Sequence, residues 1–118
     1  MTLIIYHNPR CSTSRKTLDI LKKEKADFRV VEYLKHPLSA AELKDLLQKL
    51  RMNPAQLVRK KEPLYKEKYA GRVLSDDEWL RVLSANPVLI ERPVVVKGSR
   101  AVLGRPPENV CILLEGGI

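Results

Sequence analysis

The chain has 118 residues and a formal net charge of +8, with 44% apolar and 31% charged residues. This balance excludes a disordered chain, and the length predicts a single domain over residues 1–118 that is stable without disulfides. The apolar runs are too short to cross a bilayer and the N-terminus lacks the features of a signal peptide, so we expect a cytoplasmic protein with no membrane partner.

The first third of the chain has the pattern of a βαβ unit. Leu3–Tyr6 is a short apolar run typical of a buried strand, and apolar residues recur at helical spacing from about Ser14 to Lys25. Phe28–Tyr33 is rich in β-branched and aromatic residues and predicts a second strand. Strand, helix and strand at this spacing predict two parallel strands joined by a crossover.

Two capping boxes mark helices in the middle of the chain. Ser39–Glu42 opens a stretch with leucines at helical spacing, and Ser75–Glu78 opens a second amphipathic stretch that begins with Trp79. The charged segment between them, from Asn53 to Arg72, is predicted to be helical in part.

The last third of the chain predicts a hairpin and a helix. Val94–Val96 and Ala101–Leu103 are the strands around a turn at 97–100, and Pro106–Pro107 opens a helix that Gly116–Gly117 ends. The elements therefore follow the order βα, β, a helical segment, then ββα. We predict an α/β fold of the thioredoxin-like type: a mixed four-stranded sheet with flanking helices and a helical insertion in the middle of the chain.

Cys11 lies in a polar loop between the first strand and the first predicted helix. A thiol in this position faces the free N–H groups and the positive dipole end of the helix, which favour the reactive thiolate, and Arg10 and Arg15 add positive charge. The same N–H groups can hold an oxyanion beside the sulfur. Because its neighbours are polar, we interpret Cys11 as a nucleophile rather than as a small core residue.

The second cysteine and the nearby histidine have different interpretations. We interpret Cys111 as a core residue, because its neighbours on the last predicted helix are apolar. In the cytoplasm both cysteines are expected to stay reduced. His7, four residues before Cys11, either orients the loop near the sulfur or simply ends the strand, and the sequence leaves both possibilities open.

Three other chemistries fit the sequence less well. Position 14 is serine, so Cys11 has no resolving cysteine in a C-x-x-C pair. Position 17 is threonine, which excludes the phosphatase-type loop in which an arginine follows the cysteine after five residues. The histidines and cysteines have no spacing typical of a zinc site, and no bound metal or organic cofactor is expected.

Four segments carry a combined signature: the loop Ile5–Arg15, and the segments Leu57–Lys60, Glu91–Val96 and Gly104–Glu108. Their order and spacing extend over nearly the whole chain. Together they resemble the glutaredoxin-coupled arsenate reductase family, and in particular its shorter members.

The resemblance implies a thioredoxin-like fold and one redox-active cysteine, matching Cys11, with His7 and Ser14 helping to activate the thiol. It implies a cis bond between Arg92 and Pro93. It further implies that three arginines line an oxyanion site: Arg59, Arg92 and Arg105. Arginine is suited to this role, because its planar guanidinium stays charged and can donate two parallel hydrogen bonds to one tetrahedral oxyanion.

The activity that the resemblance implies is reduction of arsenate to arsenite. The Cys11 thiolate attacks arsenic, glutathione is the co-substrate, and glutaredoxin resolves the mixed disulfide. The expected partners are a small oxyanion, glutathione and glutaredoxin, with no nucleic acid, and the protein is expected to be a monomer. A small anionic substrate is compatible with the net charge, since the basic residues are spread along the chain and only 5% of residues are aromatic.

Two other functions stay open. The first is a glutathione-linked thiol oxidoreductase, or deglutathionylation enzyme, that makes little use of arsenate. The second is a non-enzymatic transcription regulator that binds RNA polymerase, as in a related branch of the superfamily. That branch usually carries a C-x-x-C pair, which Ser14 rules out in this loop.

Overall fold

The computed structural model describes residues 2–115, and the chain divides into two compact units. The first unit consists of Met1–His36 and Arg92–Ile118, and the second of Pro37–Glu91. The helical segment that the sequence predicts in the middle of the chain is therefore a unit of its own. The expectation of a single domain over residues 1–118 stays a prediction.

The first unit contains a four-stranded mixed sheet. Its strands are β1 (Leu3–Tyr6), β2 (Phe28–Val31), β3 (Val94–Lys97) and β4 (Arg100–Leu103), in the order β2-β1-β3-β4. β1 and β2 are parallel, whereas β1 with β3 and β3 with β4 are antiparallel. The predicted fold class is confirmed, although β2 ends two residues earlier than expected.

Helix α1 (Ser12–Lys23) follows β1 and begins about two residues earlier than predicted. Its Thr17 and Leu21 are fully buried. Leu21 belongs to a core cluster with residues of β1, β3 and the C-terminal segment: Leu3, Ile5, Val95, Val110 and Leu113. This burial of apolar side chains attaches α1 to the sheet, and it fixes where the N-terminus of the helix lies.

The second unit is helical, with α2 (Ala40–Leu50), α3 (Pro63–Lys68) and α4 (Asp76–Ala85). Both predicted capping boxes are confirmed by reciprocal hydrogen bonds. The Glu42 N–H donates to Ser39 Oγ at 3.1 Å and the Ser39 N–H donates to Glu42 Oε1 at 3.0 Å. The box at the start of α4 has the same two bonds, at 3.2 and 3.1 Å. The segment between α2 and α4 is partly helical, as predicted, since it also contains the 3₁₀ helix Pro54–Leu57.

After β4 the chain forms the 3₁₀ helix Pro107–Val110 and then α5 (Cys111–Glu115). The predicted helix end at 116–117 lies outside the described residues. Val110 and Leu113 are fully buried, whereas Cys111 is half-buried and Ile112 is 50% exposed. The prediction that Cys111 is a core residue is wrong, because the buried face carries Val110 and Leu113, three residues apart, and Cys111 lies beside that face. None of the helices within residues 2–115 combines the length and apolar character that spanning a bilayer requires.

Candidate active site

Cys11 occupies the N-cap position of α1, and its side chain makes no capping hydrogen bond there. Its backbone is extended (φ −95°, ψ 122°), and its carbonyl accepts the first helical hydrogen bond from the Arg15 N–H at 3.0 Å. Its own N–H donates to the Asn8 carbonyl at 3.0 Å. The half-buried thiol therefore lies where the unpaired N–H groups of the helix begin.

Asn8 shapes the turn that leads from β1 into α1. Its side chain is buried, and its Oδ1 accepts a hydrogen bond from the Arg10 N–H at 3.0 Å. Asn8 is not among the residues predicted for the site from the sequence. Asparagine before proline is a known signal for such a turn, because the side-chain oxygen can bond to the backbone two residues on.

His7 and Ser14 are in direct contact beneath the loop. His7 Nδ1 lies 2.7 Å from Ser14 Oγ, and the Asn8 N–H donates to the same oxygen at 3.1 Å. Burial lowers the pKa of His7, and this outweighs the nearby Glu32 carboxylate, which raises it. A neutral His7 can accept a hydrogen bond from the Ser14 hydroxyl at Nδ1, so these two buried atoms satisfy each other.

The pKa of the Cys11 thiol reflects opposing influences. Burial raises it, but the backbone N–H of Ser14 and the guanidinium of Arg92 lower it by more, with a further contribution from the Thr13 N–H. The net effect is a pKa below the ordinary value of a cysteine. The thiolate is thus favoured by the helix N-terminus and by an arginine from a distant part of the chain.

Two arginines of the first unit approach the sulfur. Arg105 Nη1 lies 3.9 Å from Cys11 Sγ and donates to the Arg92 carbonyl at 3.0 Å. Within residues 2–115, the buried Nε of Arg92 has no hydrogen-bond partner. The Arg92–Pro93 bond is cis, which agrees with the resemblance, and Arg105–Pro106 is cis as well.

The segment that carries Arg105 is packed closely against α1 and β3. The Gly104 N–H donates to the Pro93 carbonyl at 2.8 Å. A Cβ at position 104 would lie only 2.9 Å from Pro93 Cγ and 2.9 Å from Thr17 Oγ1. Only glycine therefore fits between these two residues without a rearrangement. On its other side, the Asn109 amide donates to the Leu103 and Arg105 carbonyls, each at 3.1 Å.

Comparison with known proteins agrees with this arrangement. The sequence profile of the ArsC family matches residues 6–112. The chain belongs to the ArsC family. It is 51% identical to the Escherichia coli K12 protein named uncharacterized protein YfgD, over 90% of this chain and 91% of that protein. It is 42% identical to an arsenate reductase of Neisseria meningitidis (strain Z2491), over 90% of this chain and 92% of that one.

The fold is also that of solved ArsC-family structures. The arsenate reductase of Vibrio cholerae has a TM-score of 0.90 and 45% sequence identity, and the match covers 94% of this chain and 96% of that one. The matched range of the ArsC family includes Cys11 and both arginines that approach it.

The other arginines that the sequence analysis named are Arg59, Arg10 and Arg15. Arg59 belongs to the second unit, where its Nη1 is 3.4 Å from Glu91 Oε1 and its Nε is 3.8 Å from Glu62 Oε2. Its role at the oxyanion site stays a prediction. Arg10 and Arg15 are exposed, and Arg15 Nη1 donates to the Pro9 carbonyl at 3.3 Å.

Two further observations bear on what the ArsC-family site can bind. A groove of about 540 Å³ lies in the second unit, lined among others by Leu47, Arg51, Asp76 and Leu80, and the predicted site residues are not part of its lining. Across the part of the chain that is described, no three His, Cys, Asp or Glu side chains gather as metal ligands. The chemistry available around Cys11 is that of a thiolate beside N–H donors and guanidinium groups.

Proposed function

We propose that this ArsC-family protein reduces arsenate to arsenite, with Cys11 as the nucleophile and glutathione and glutaredoxin as the reductants. The observation that carries the proposal is the position of Cys11. Its sulfur lies at the N-terminus of α1 with Arg105 Nη1 at 3.9 Å, and the Arg92 guanidinium lowers its pKa. Such a site can hold an oxyanion and present a thiolate to it.

Arg92 and Arg105 offset the electrostatic repulsion between the substrate and the nucleophile. Arsenate is an anion at neutral pH, and a second anion, the thiolate, has to approach it. Arg92 and Arg105 supply positive charge at the sulfur, and the buried Arg92 Nε is a donor that the rest of residues 2–115 leaves unpaired. A buried donor without a partner costs about 1–3 kcal/mol, and a bound oxyanion would remove that cost.

In the first chemical step, the Cys11 thiolate attacks arsenic(V). A sulfur–arsenic bond forms and one arsenic–oxygen bond breaks, and the departing oxygen takes up a proton from solvent and leaves as water. The guanidinium groups stabilise the negative charge on the remaining oxygens as the bond forms. His7 and Ser14 act beneath the loop, where their mutual hydrogen bond holds the Ser14 backbone N–H towards the sulfur.

In the second step, a glutathione thiolate attacks the Cys11 sulfur. A disulfide bond forms, the sulfur–arsenic bond breaks, and its electron pair stays on arsenic, which leaves as arsenite after taking up protons. A glutaredoxin thiolate then attacks the glutathione sulfur of the mixed disulfide and releases Cys11 as the thiolate. Neither step needs a bound metal or organic cofactor.

The relatives support the substrate. Proteins from Neisseria meningitidis and Vibrio cholerae that are 42% and 45% identical to this chain are named arsenate reductases. Each match covers at least 90% of both chains. The choice of glutathione as reductant has separate support. Cys11 is followed three residues later by Ser14 and not by a second cysteine, so the loop itself holds no thiol that could form a disulfide with Cys11.

The test is a coupled assay of the purified protein with glutathione, glutaredoxin, glutathione reductase and NADPH. We expect NADPH consumption to require arsenate. Consumption with a small glutathione mixed disulfide but none with arsenate would contradict the proposal and favour the general thiol oxidoreductase. Copurification with RNA polymerase without either activity would favour the transcription regulator.

A matched pair of variants tests the arginine. Arg92→Ala should lower kcat/KM for arsenate by about ten- to a hundredfold, the usual cost of losing a hydrogen bond to a charged group. Arg100→Ala, which removes an exposed arginine of β4, should leave kcat/KM unchanged. Equal effects of the two substitutions would show that overall charge, and not the position of Arg92, matters.

A further inference from the structure

Asn109 makes an unusual pair of contacts near the site. Its side-chain nitrogen Nδ2 donates to the Leu103 carbonyl and to the Arg105 carbonyl, each at 3.1 Å. The two acceptors lie on either side of Gly104, so one amide group spans the turn between the end of β4 and the 3₁₀ helix. The Asn109 amide group therefore fixes the backbone on both sides of Gly104, including that of Arg105 itself.

The same turn is fixed from the opposite side by packing. Gly104 is buried against Thr17 and Pro93, and its N–H donates to the Pro93 carbonyl at 2.8 Å. This close contact limits how far the turn can shift towards α1, and the Gly104 N–H bond holds the middle of the turn against outward movement. The Asn109 amide restrains the two flanking residues, because it binds the carbonyl before and the carbonyl after the glycine.

We propose that Asn109 is a positioning residue that sets the direction of the Arg105 guanidinium and, through it, the ionisation of Cys11. Arg105 Nη1 lies 3.9 Å from Cys11 Sγ and 3.0 Å from the Arg92 carbonyl. The contact with sulfur is at the outer limit of a hydrogen bond, so a small displacement of the Arg105 backbone breaks it. The same displacement loosens the backbone of Arg92.

This inference rests on the proposed function only in treating Arg105 as a group that faces the substrate. The effect on Cys11 itself exists without any substrate. Loss of the Asn109 amide removes the donor that links the Leu103 and Arg105 carbonyls, and it lets the Arg105 segment move. The thiolate then loses stabilising positive charge, and the Cys11 pKa rises.

The experiment measures the rate at which iodoacetamide alkylates Cys11 as a function of pH, followed by mass spectrometry of the Cys11 peptide. Asn109→Leu keeps the size and neutrality of the side chain and removes both donors. We expect its alkylation midpoint to lie higher by about half a pH unit, which corresponds to roughly threefold less thiolate below the midpoint. An unchanged profile in the folded variant overturns the proposal.

Asn86→Leu is the matched control. The Asn86 amide also donates to a backbone carbonyl, that of Val82 at 2.9 Å, but in the second unit. Both substitutions remove amide donors, but only Asn109→Leu should raise the pH midpoint of Cys11 alkylation. A shift of the same size in Asn86→Leu would mean that general loosening of the protein is the cause, and this result also overturns the proposal.

A double-mutant cycle tests whether Asn109 acts through Arg105. The combination Asn109→Leu with Arg105→Ala should shift the midpoint no further than Arg105→Ala alone, whereas additive shifts overturn the proposal. If Asn109→Leu does not fold, Asn109→Ser replaces it, because a serine hydroxyl can donate to only one carbonyl. This variant should raise the alkylation midpoint by a smaller amount, and an unchanged midpoint overturns the proposal. A protein that ignores arsenate but shows these shifts refutes the proposed function and supports this inference.

Discussion

Cys11 occupies the N-cap position of a 12-residue helix, and Cys111 begins a helix of five residues. Both side chains are half-buried, so exposure alone does not distinguish them. At Cys11, N–H groups of α1 and the Arg92 guanidinium lower the pKa of the thiol. The proposal that Cys11 is the reactive cysteine therefore rests on its charged surroundings and not on its accessibility.

This contrast gives a prediction for the two cysteines. Cys11→Ser should abolish arsenate-dependent turnover in the coupled assay and leave the thermal unfolding curve close to that of the wild type. Cys111→Ser should keep most of the activity and change stability by about 0.5 kcal/mol, as is usual for a substitution away from the core. An equal loss of activity in both variants would show that Cys111 takes part in the redox cycle.

His7 gives a prediction for stability in acid. Burial lowers the pKa of His7 in the folded protein. In the unfolded chain histidine titrates at about 6.5, so as pH falls the unfolded chain takes up a proton before the folded protein does. The free energy of unfolding should therefore fall as pH drops from the unfolded pKa to the lower folded pKa, and fall no further from this source below it.

The measurement is urea unfolding at a series of pH values. His7→Gln should show a shallower decline across this window than the wild type, because the titrating group is gone. His36→Gln, which replaces the exposed second histidine, should follow the wild type. A wild-type decline that His7→Gln leaves unchanged would contradict the role assigned to burial of His7.

At the scale of elements, local patterns predicted most of the secondary structure. Both capping boxes form, because each needs only a serine and a glutamate three residues apart. The apolar neighbours of Cys111 in the sequence predict a core position for it, yet Val110 and Leu113, three residues apart, share the buried face. Helical spacing, applied strictly, would have placed Cys111 and Ile112 off that face.

Gly104 gives a prediction at the same scale. Gly104→Ala should lower the free energy of unfolding by about 1–3 kcal/mol, because the added Cβ overlaps Pro93 and Thr17. It should also slow alkylation of Cys11 near neutral pH, since the overlap displaces the segment that carries Arg105.

Gly71→Ala is the comparison for this variant. Gly71 has open space around it but a φ of +78°, so alanine there costs about 1–2 kcal/mol through backbone strain. Alkylation of Cys11 should stay at the wild-type rate. Wild-type stability of Gly104→Ala, or equal slowing of Cys11 alkylation in the two variants, would contradict the role of close packing at Gly104.

At the scale of the whole molecule, the candidate site in the first unit is gathered from three stretches of chain: residues 7–15, 92–93 and 104–109. The sequence alone indicated the first stretch, because the thiol and the helix N-terminus are adjacent. The pairing of Arg92 with Arg105 followed only from resemblance to a family, since no local rule brings together side chains from separate segments. Asn109 carried no sequence signal, because its partners are backbone carbonyls that come within reach only in the folded chain.

The pKa of Cys11 in the intact wild-type protein tests the central claim most directly. It can be read from the carbon chemical shift of Cys11 Cβ as pH is raised, with the signal assigned by its absence in Cys11→Ser. We predict a pKa below the value of about 8.5 found for a free cysteine, because α1 and Arg92 stabilise the thiolate. A pKa at or above that value would contradict the assignment of Cys11 as an activated nucleophile.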